Sequence, residues 1–131
     1  MKERLLNAFR NWVPEVELAV KVKFVHKGKD EPLSGQQYTV RLYDKEFFTD
    51  DEYLGNAKLN DRGEATIRFF PADVRAAGWG GEDLPDLYVL LFKGNVVHFE
   101  SKVWPNVDFE KLGLLDFKEG EVLNFGTFIV D

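Results

Sequence analysis

The sequence predicts an all-β chain folded as a two-sheet antiparallel β-sandwich of six to eight strands, and three observations carry that prediction. Apolar residues recur at every second position through several separate segments, which is the spacing of strands with one buried face. Turn residues divide these segments, and no stretch between them is long enough for the crossover helices of a parallel sheet. Twelve Phe, three Trp and four Tyr in 131 residues supply large side chains to a chain with no Cys. Each fully buried Phe contributes about 1.5–3 kcal/mol, so a core of this size forms without disulfides.

Taken in order, the chain opens with Leu5, Phe9, Trp12 and Val13 on one helical face. A short helix over 1–14 is expected to end at Pro14 and to pack on a single sandwich domain over 15–131. Its charges interrupt the apolar stretch, so it reads as neither a signal peptide nor a membrane span, and the chain as given reads as cytoplasmic, or extracellular if a leader has been removed. Residues 15–25 alternate, with Val16, Leu18, Val20, Val22 and Phe24 on one side. Tyr38, Val40 and Leu42 follow the same rule, as do Ala65, Ile67 and Phe69. The run 87–92 is apolar on both faces, the mark of a central or covered strand. Gly94 and Asn95 form a two-residue hairpin turn into a strand over 96–103. In the last strand, 122–130, Leu123 and Phe125 share a parity that Phe128 and Val130 do not, and Gly126 is the place for the bulge that reconciles them. Two short helical loops are expected, one over 71–77 ended by Gly78, the other over 108–112 with Asp108 as N-cap and Gly113 as stop.

Seventeen Lys plus Arg against 23 Asp plus Glu give a net charge of −6, with a pI near 5.0. That balance argues against nucleic acid and against a membrane as partner, since nucleic acid and anionic lipid both call for basic patches. The absence of Cys removes thiol nucleophiles, zinc ribbons and iron–sulfur clusters. The two His, His26 and His98, lie far apart with no triad spacing around them. Gly78-Trp-Gly-Gly81 lacks the Lys-Ser/Thr of a phosphate loop and is followed by acids, so it reads as a turn. The basic stretch of Lys21, Lys23, His26, Lys27 and Lys29 reads as a solvated strand edge.

The order of VRLYD (40–44), DDEYLG (50–55), LNDRGEATI (59–67), LPDLYV (84–89) and LNFGTFI (123–129) resembles the transthyretin-like, or prealbumin-like, β-sandwich family from about Val16 to the end. The resemblance implies a sandwich of this kind, with an Ig-like arrangement of sheets. The family's hydroxyisourate hydrolase branch relies on conserved His and Arg residues and a C-terminal Tyr-Arg-Gly-Ser, whereas this chain ends Phe128-Ile-Val-Asp131. No catalytic residue is therefore assigned.

Residues 44–52 carry five carboxylates, Asp44, Glu46, Asp50, Asp51 and Glu52, at a predicted strand end. Calcium takes six to eight oxygen ligands, and alternate loop residues can turn carboxylates toward one ion. Asp44, Glu46 and Glu52 ahead of Leu54-Gly55 are also similar in spacing to a calcium loop of a C2 domain, with Glu at two of the three positions. Glu82, Asp83 and Asp86 complete such a site only if their loop lies at the same end. The same acids equally serve as a solvated loop that keeps an aromatic-rich domain soluble. Phe47 and Phe48 at the loop tip are either buried staples or apolar prongs for a partner or membrane. Trp79, Trp104, Tyr43, Tyr88, Phe70 and Phe92 fall on outward parities or in loops, where several on one sheet face would form an interaction patch or a homo-oligomer interface.

The expected function is a non-enzymatic binding or protein-interaction module, acting on a protein or small ligand through its loops or its aromatic sheet face. The alternatives are a C2-like calcium-binding module and, more remotely, a transthyretin-related hydrolase. No cofactor other than calcium is implied.

Overall fold

Alternation directs one side of each strand inward, and the computed structural model describes residues 17–70, 84–109, 111–112 and 122–131. Its strands are β1 (Leu18–His26), β2 (Tyr38–Asp44), β3 (Glu52–Lys58), β4 (Glu64–Phe69), β5 (Leu87–Lys93), β6 (Val96–Glu100) and β7 (Leu123–Val130). They form a three-stranded sheet, β4-β1-β7, and a four-stranded sheet, β3-β2-β5-β6. Leu18, Val20, Val22 and Phe24 of the first sheet face Val40, Leu42, Val89 and Leu91 of the second, all fully buried. Phe24 closes the β6–β7 side against the rings of Phe99 at 5.8 Å and Phe128 at 5.5 Å.

Most pairings are antiparallel as expected, but β7 runs parallel to β1. The absence of crossover helices does not forbid this, because the connection between the two strands is nearly the whole remaining chain. Where β7 passes β1, two steps on β1 from Lys21 to Lys23 match three on β7 from Asn124 to Thr127. Gly126 sits in that bulge at φ 95°, and Phe125 and Val130 both reach the interior from opposite parities. The turn at Gly94, φ 62°, joins β5 to β6, and β5 is central as its two apolar faces require.

β3 carries no alternation that marks it as a strand in the sequence. A bulge is the cause, since Leu42 pairs with Gly55 while Tyr43 pairs with Tyr53. Leu54 is the extra residue and turns into the core, 3% exposed. The strand expected over 96–103 stops at Glu100, where Ser101 Oγ accepts the N–H of Val89 at 2.9 Å. At 108–112 the described residues form a turn, with Asp108 Oδ1 accepting the N–H of Lys111 at 3.1 Å. The helices expected over 1–14 and 71–77 lie outside the described residues. Among the described residues there is no helix long and apolar enough to cross a membrane.

Candidate functional site

The acidic segment becomes a connection between two paired strands, with Asp44 ending β2 and Glu52 beginning β3. Asp44 falls on the inward parity and is only 7% exposed. Its Oδ1 accepts the N–H of Asp86 at 3.0 Å, and the N–H of Lys45 donates to the Asp86 carbonyl at 2.8 Å. Asp86 in turn uses its own carboxylate to accept the N–H of Asn106 at 2.8 Å. The segment before β5 therefore does lie at the same end as the acidic loop. Glu82 and Asp83, however, are outside the described residues.

Asp51 closes the loop. Its Oδ1 accepts the N–H of Glu46 at 2.8 Å, and its Oδ2 accepts the hydroxyl of Tyr88 from β5. Burial pushes the Asp51 carboxyl up, yet those two hydrogen bonds and the Lys45 ammonium hold it below its ordinary value. The Tyr88 hydroxyl is raised, first by its own burial and then by the Asp51 carboxylate. Glu46 moves the other way from Asp51: desolvation, then Asp44, Glu52, Asp51 and Asp86, raise its pKa. The carboxylates thus form a negative cluster, but Asp44 and Asp51 are committed to backbone hydrogen bonds. Among the described residues no group of three or more His, Asp or Glu is arranged to hold a metal ion.

Above this braced root the tip is bare. Phe47 is 82% exposed and Phe48 fully exposed, so neither is a buried staple. Phenyl rings left in water on a tied loop are an uncommon use of a strongly hydrophobic side chain.

The outer face of the four-stranded sheet is the second candidate surface. The bulge at Leu54 puts Tyr53 and Asn56 on that face, where Asn56 Nδ2 donates to the Tyr53 hydroxyl. Tyr43 lies between Tyr53, 5.8 Å between centroids, and Tyr88, 5.4 Å and nearly parallel. Arg41 lays its guanidinium over Phe92 at 4.4 Å. Of the aromatics expected outside, Tyr43 and Phe92 are there half-buried, whereas Trp104 stacks on Phe125 at 3.7 Å and packs against the core. Trp79 lies outside the described residues. Among the described residues the two His make no catalytic grouping: His98 Nε2 meets the carbonyl of Asp131 at 2.9 Å, and His26 sits at the end of β1.

No family model matches the chain, and no curated protein matches it. Among solved structures, a 9R-lipoxygenase from Cyanothece PCC8801 is similar over 97% of this chain, with a TM-score of 0.60 and 16% identity. The fold is shared; the sequence is not. This chain spans 20% of that enzyme. The transthyretin-like resemblance rests on its motifs alone, and what the structure supports is the broader class, a two-sheet β-sandwich.

Proposed function

We propose that this protein is a non-catalytic binding module that docks on an apolar interface through the tip of the β2–β3 hairpin. The observation that carries it is the pairing of exposed Phe47 and Phe48 with a root tied at Asp44, Asp51 and Asp86. A tied loop has little order left to lose on binding, so the free energy of burying the rings goes into docking. The occupant that fits is the interface of a zwitterionic membrane. The carboxylates around the rings repel anionic headgroups, while phenyl rings bury favourably at the headgroup/acyl boundary. The size of the lipoxygenase supports an accessory role, since the matching part is one-fifth of that chain.

Flotation with phosphatidylcholine vesicles tests the reading. Wild type floats, and the F47A/F48A double variant loses binding by about tenfold or more, since each Phe is worth up to about 1.5–3 kcal/mol when buried. Wild type that stays with the soluble fraction on every vesicle overturns it. The second reading is calcium binding by Asp44, Glu46, Asp50, Asp51 and Glu52, and its support is that β2, β3 and the loop between them carry these five carboxylates at one end of the sheet, where Asp44, Glu52 and Asp51 add to desolvation in raising Glu46. It takes over if binding requires both calcium and phosphatidylserine, and if calcium alone raises the unfolding midpoint.

A further inference from the structure

On the outer face of the four-stranded sheet, Thr39, Arg41, Tyr43, Tyr53 and Asn56 line an open hollow of about 430 Å³. It is built by register: Thr39, Arg41 and Tyr43 are the outward residues of β2, and Asn56 and Tyr53 stand opposite Arg41 and Tyr43 on β3. We infer that this hollow is a binding site for an acidic saccharide, with Arg41 receiving the carboxylate of a uronic acid residue.

Three features select that chemistry. Arg41 is exposed, has its guanidinium over the Phe92 ring at 4.4 Å, and makes no ion pair or hydrogen bond with a described residue. Its guanidinium is thus oriented but unspent, and its planar fork of donors matches a carboxylate. Among the described residues, the acids of this face are placed away from Arg41: Glu100 lies beyond Leu90, two strands from Arg41, and Asp51 is taken by Tyr88 and the Glu46 amide. A positive site persists on a chain of net charge −6. Lys58, opposite Thr39, adds a second cation at the border, with its ammonium on the Gln36 carbonyl at 3.0 Å.

The remaining lining is what a polyhydroxylated ring requires. Tyr43 is packed between Tyr88 and Tyr53, and Tyr53, 43% exposed, supplies the ring face against which the C–H face of a pyranose packs. The Thr39 hydroxyl and the Tyr43 hydroxyl make no hydrogen bond to a described residue. Asn56 uses one amide hydrogen on Tyr53, which leaves its carbonyl and the Tyr53 hydroxyl proton for ligand hydroxyls. An acyl chain would desolvate all these groups with nothing to pair them, so a lipid tail is excluded. The hollow is open along the sheet, so a sugar residue within a longer chain can enter it.

The site is independent of the hairpin tip, and the test keeps them separate. An ¹⁵N-correlated NMR titration with a soluble oligogalacturonide trimer should move the amides of residues 39–43 and 53–56 saturably, with Kd in the range of about 0.1–1 mM. Arg41→Gln should weaken binding about tenfold or more, the loss expected for a charge-assisted pair. Tyr53→Ala should weaken it several-fold, and F47A/F48A should leave it unchanged. Both Arg41 and Tyr53 are solvent-exposed, so unchanged unfolding midpoints will confirm that these variants fold. The inference is overturned if a neutral galactose trimer binds as well as the acidic one, or if Arg41→Gln binds like wild type. It is equally overturned if those amides move only with phosphatidylserine vesicles and not with the free saccharide, or if no saturable shift occurs by about 10 mM.

Discussion

Two connections flank β3, and they use the same chemistry to opposite ends. In the β3–β4 turn, Asn60 Oδ1 accepts the N–H groups of Arg62 and Glu64, both at 2.9 Å, much as Asp51 ties the Glu46 amide in the β2–β3 hairpin. Beside the first turn, Leu59 is buried and Gly63 lies against the Phe24 carbonyl, so the turn is part of the core. Above the second, Phe47 and Phe48 stand exposed at the tip. Side chains that satisfy backbone amides are needed wherever a chain reverses. The position of the neighbouring apolar residue distinguishes a turn that closes the sandwich from a loop that presents something.

That contrast breaks most sharply at Gly63. Its φ is 75°, and an added Cβ would come within 2.5 Å of the Phe24 carbonyl oxygen, which is backbone and cannot swing away. Gly63→Ala is expected to cost about 2–4 kcal/mol in chemical denaturation, at the upper end of single substitutions. Asn60→Ala, which leaves two amides without their acceptor, should cost about 1–2 kcal/mol by the same measurement. The F47A/F48A variant, by contrast, should unfold within about 0.5 kcal/mol of wild type while losing vesicle binding. A large stability loss there would mean that the tip is structural and the contrast false.

The smallest effects concern pH. Burial pushes Glu64 up, but Arg62, Asn60 and Lys21 hold it below its ordinary value of 4.5, as Asp51 is held below 3.8. An acid whose folded pKa is lowered stabilises the fold above its ordinary value and loses that contribution as pH falls through the folded one. Melting curves between neutral and strongly acid pH should therefore show a smaller decline for Glu64→Gln than for wild type. Glu46 has the opposite sign: its folded pKa is raised, so its contribution is intact below 4.5 and is lost as pH rises through the folded value. Glu46→Gln should then be slightly more stable than wild type at neutral pH, and no different at low pH.

Period-two alternation made β1, β2, β4 and β5 legible, because a residue's parity depends only on its neighbours in the chain. The Gly94 turn and the Gly126 bulge were legible for a similar reason: each shows locally, as a glycine at the point where a strand reverses or its parity fails. β3 was not legible, since its bulge breaks the alternation and its first residues look like loop. In the sequence the acidic segment shows five carboxylates, of which Asp44, Glu46 and Glu52 have a C2-like spacing, and nothing that tells which of them brace the loop. Part of what sets Asp44 and Asp51 apart from Glu46 comes from Asp86 and Tyr88, which are about forty positions away in sequence.

The sequence by itself determined that this chain is a β-sandwich, which strands have an inward face, and that acids and phenylalanines meet at one strand end. Only the tertiary structure decided that β7 lies parallel to β1, that Asp44 and Asp51 tie the loop, and that Phe47 and Phe48 stay outside. It also brought Arg41, Tyr43, Tyr53 and Asn56 around one hollow. The physical reason is range: burial parity is a local property of the strand, whereas hydrogen-bond partners and shared surfaces depend on registers between strands, which are set when two sheets close on a common core.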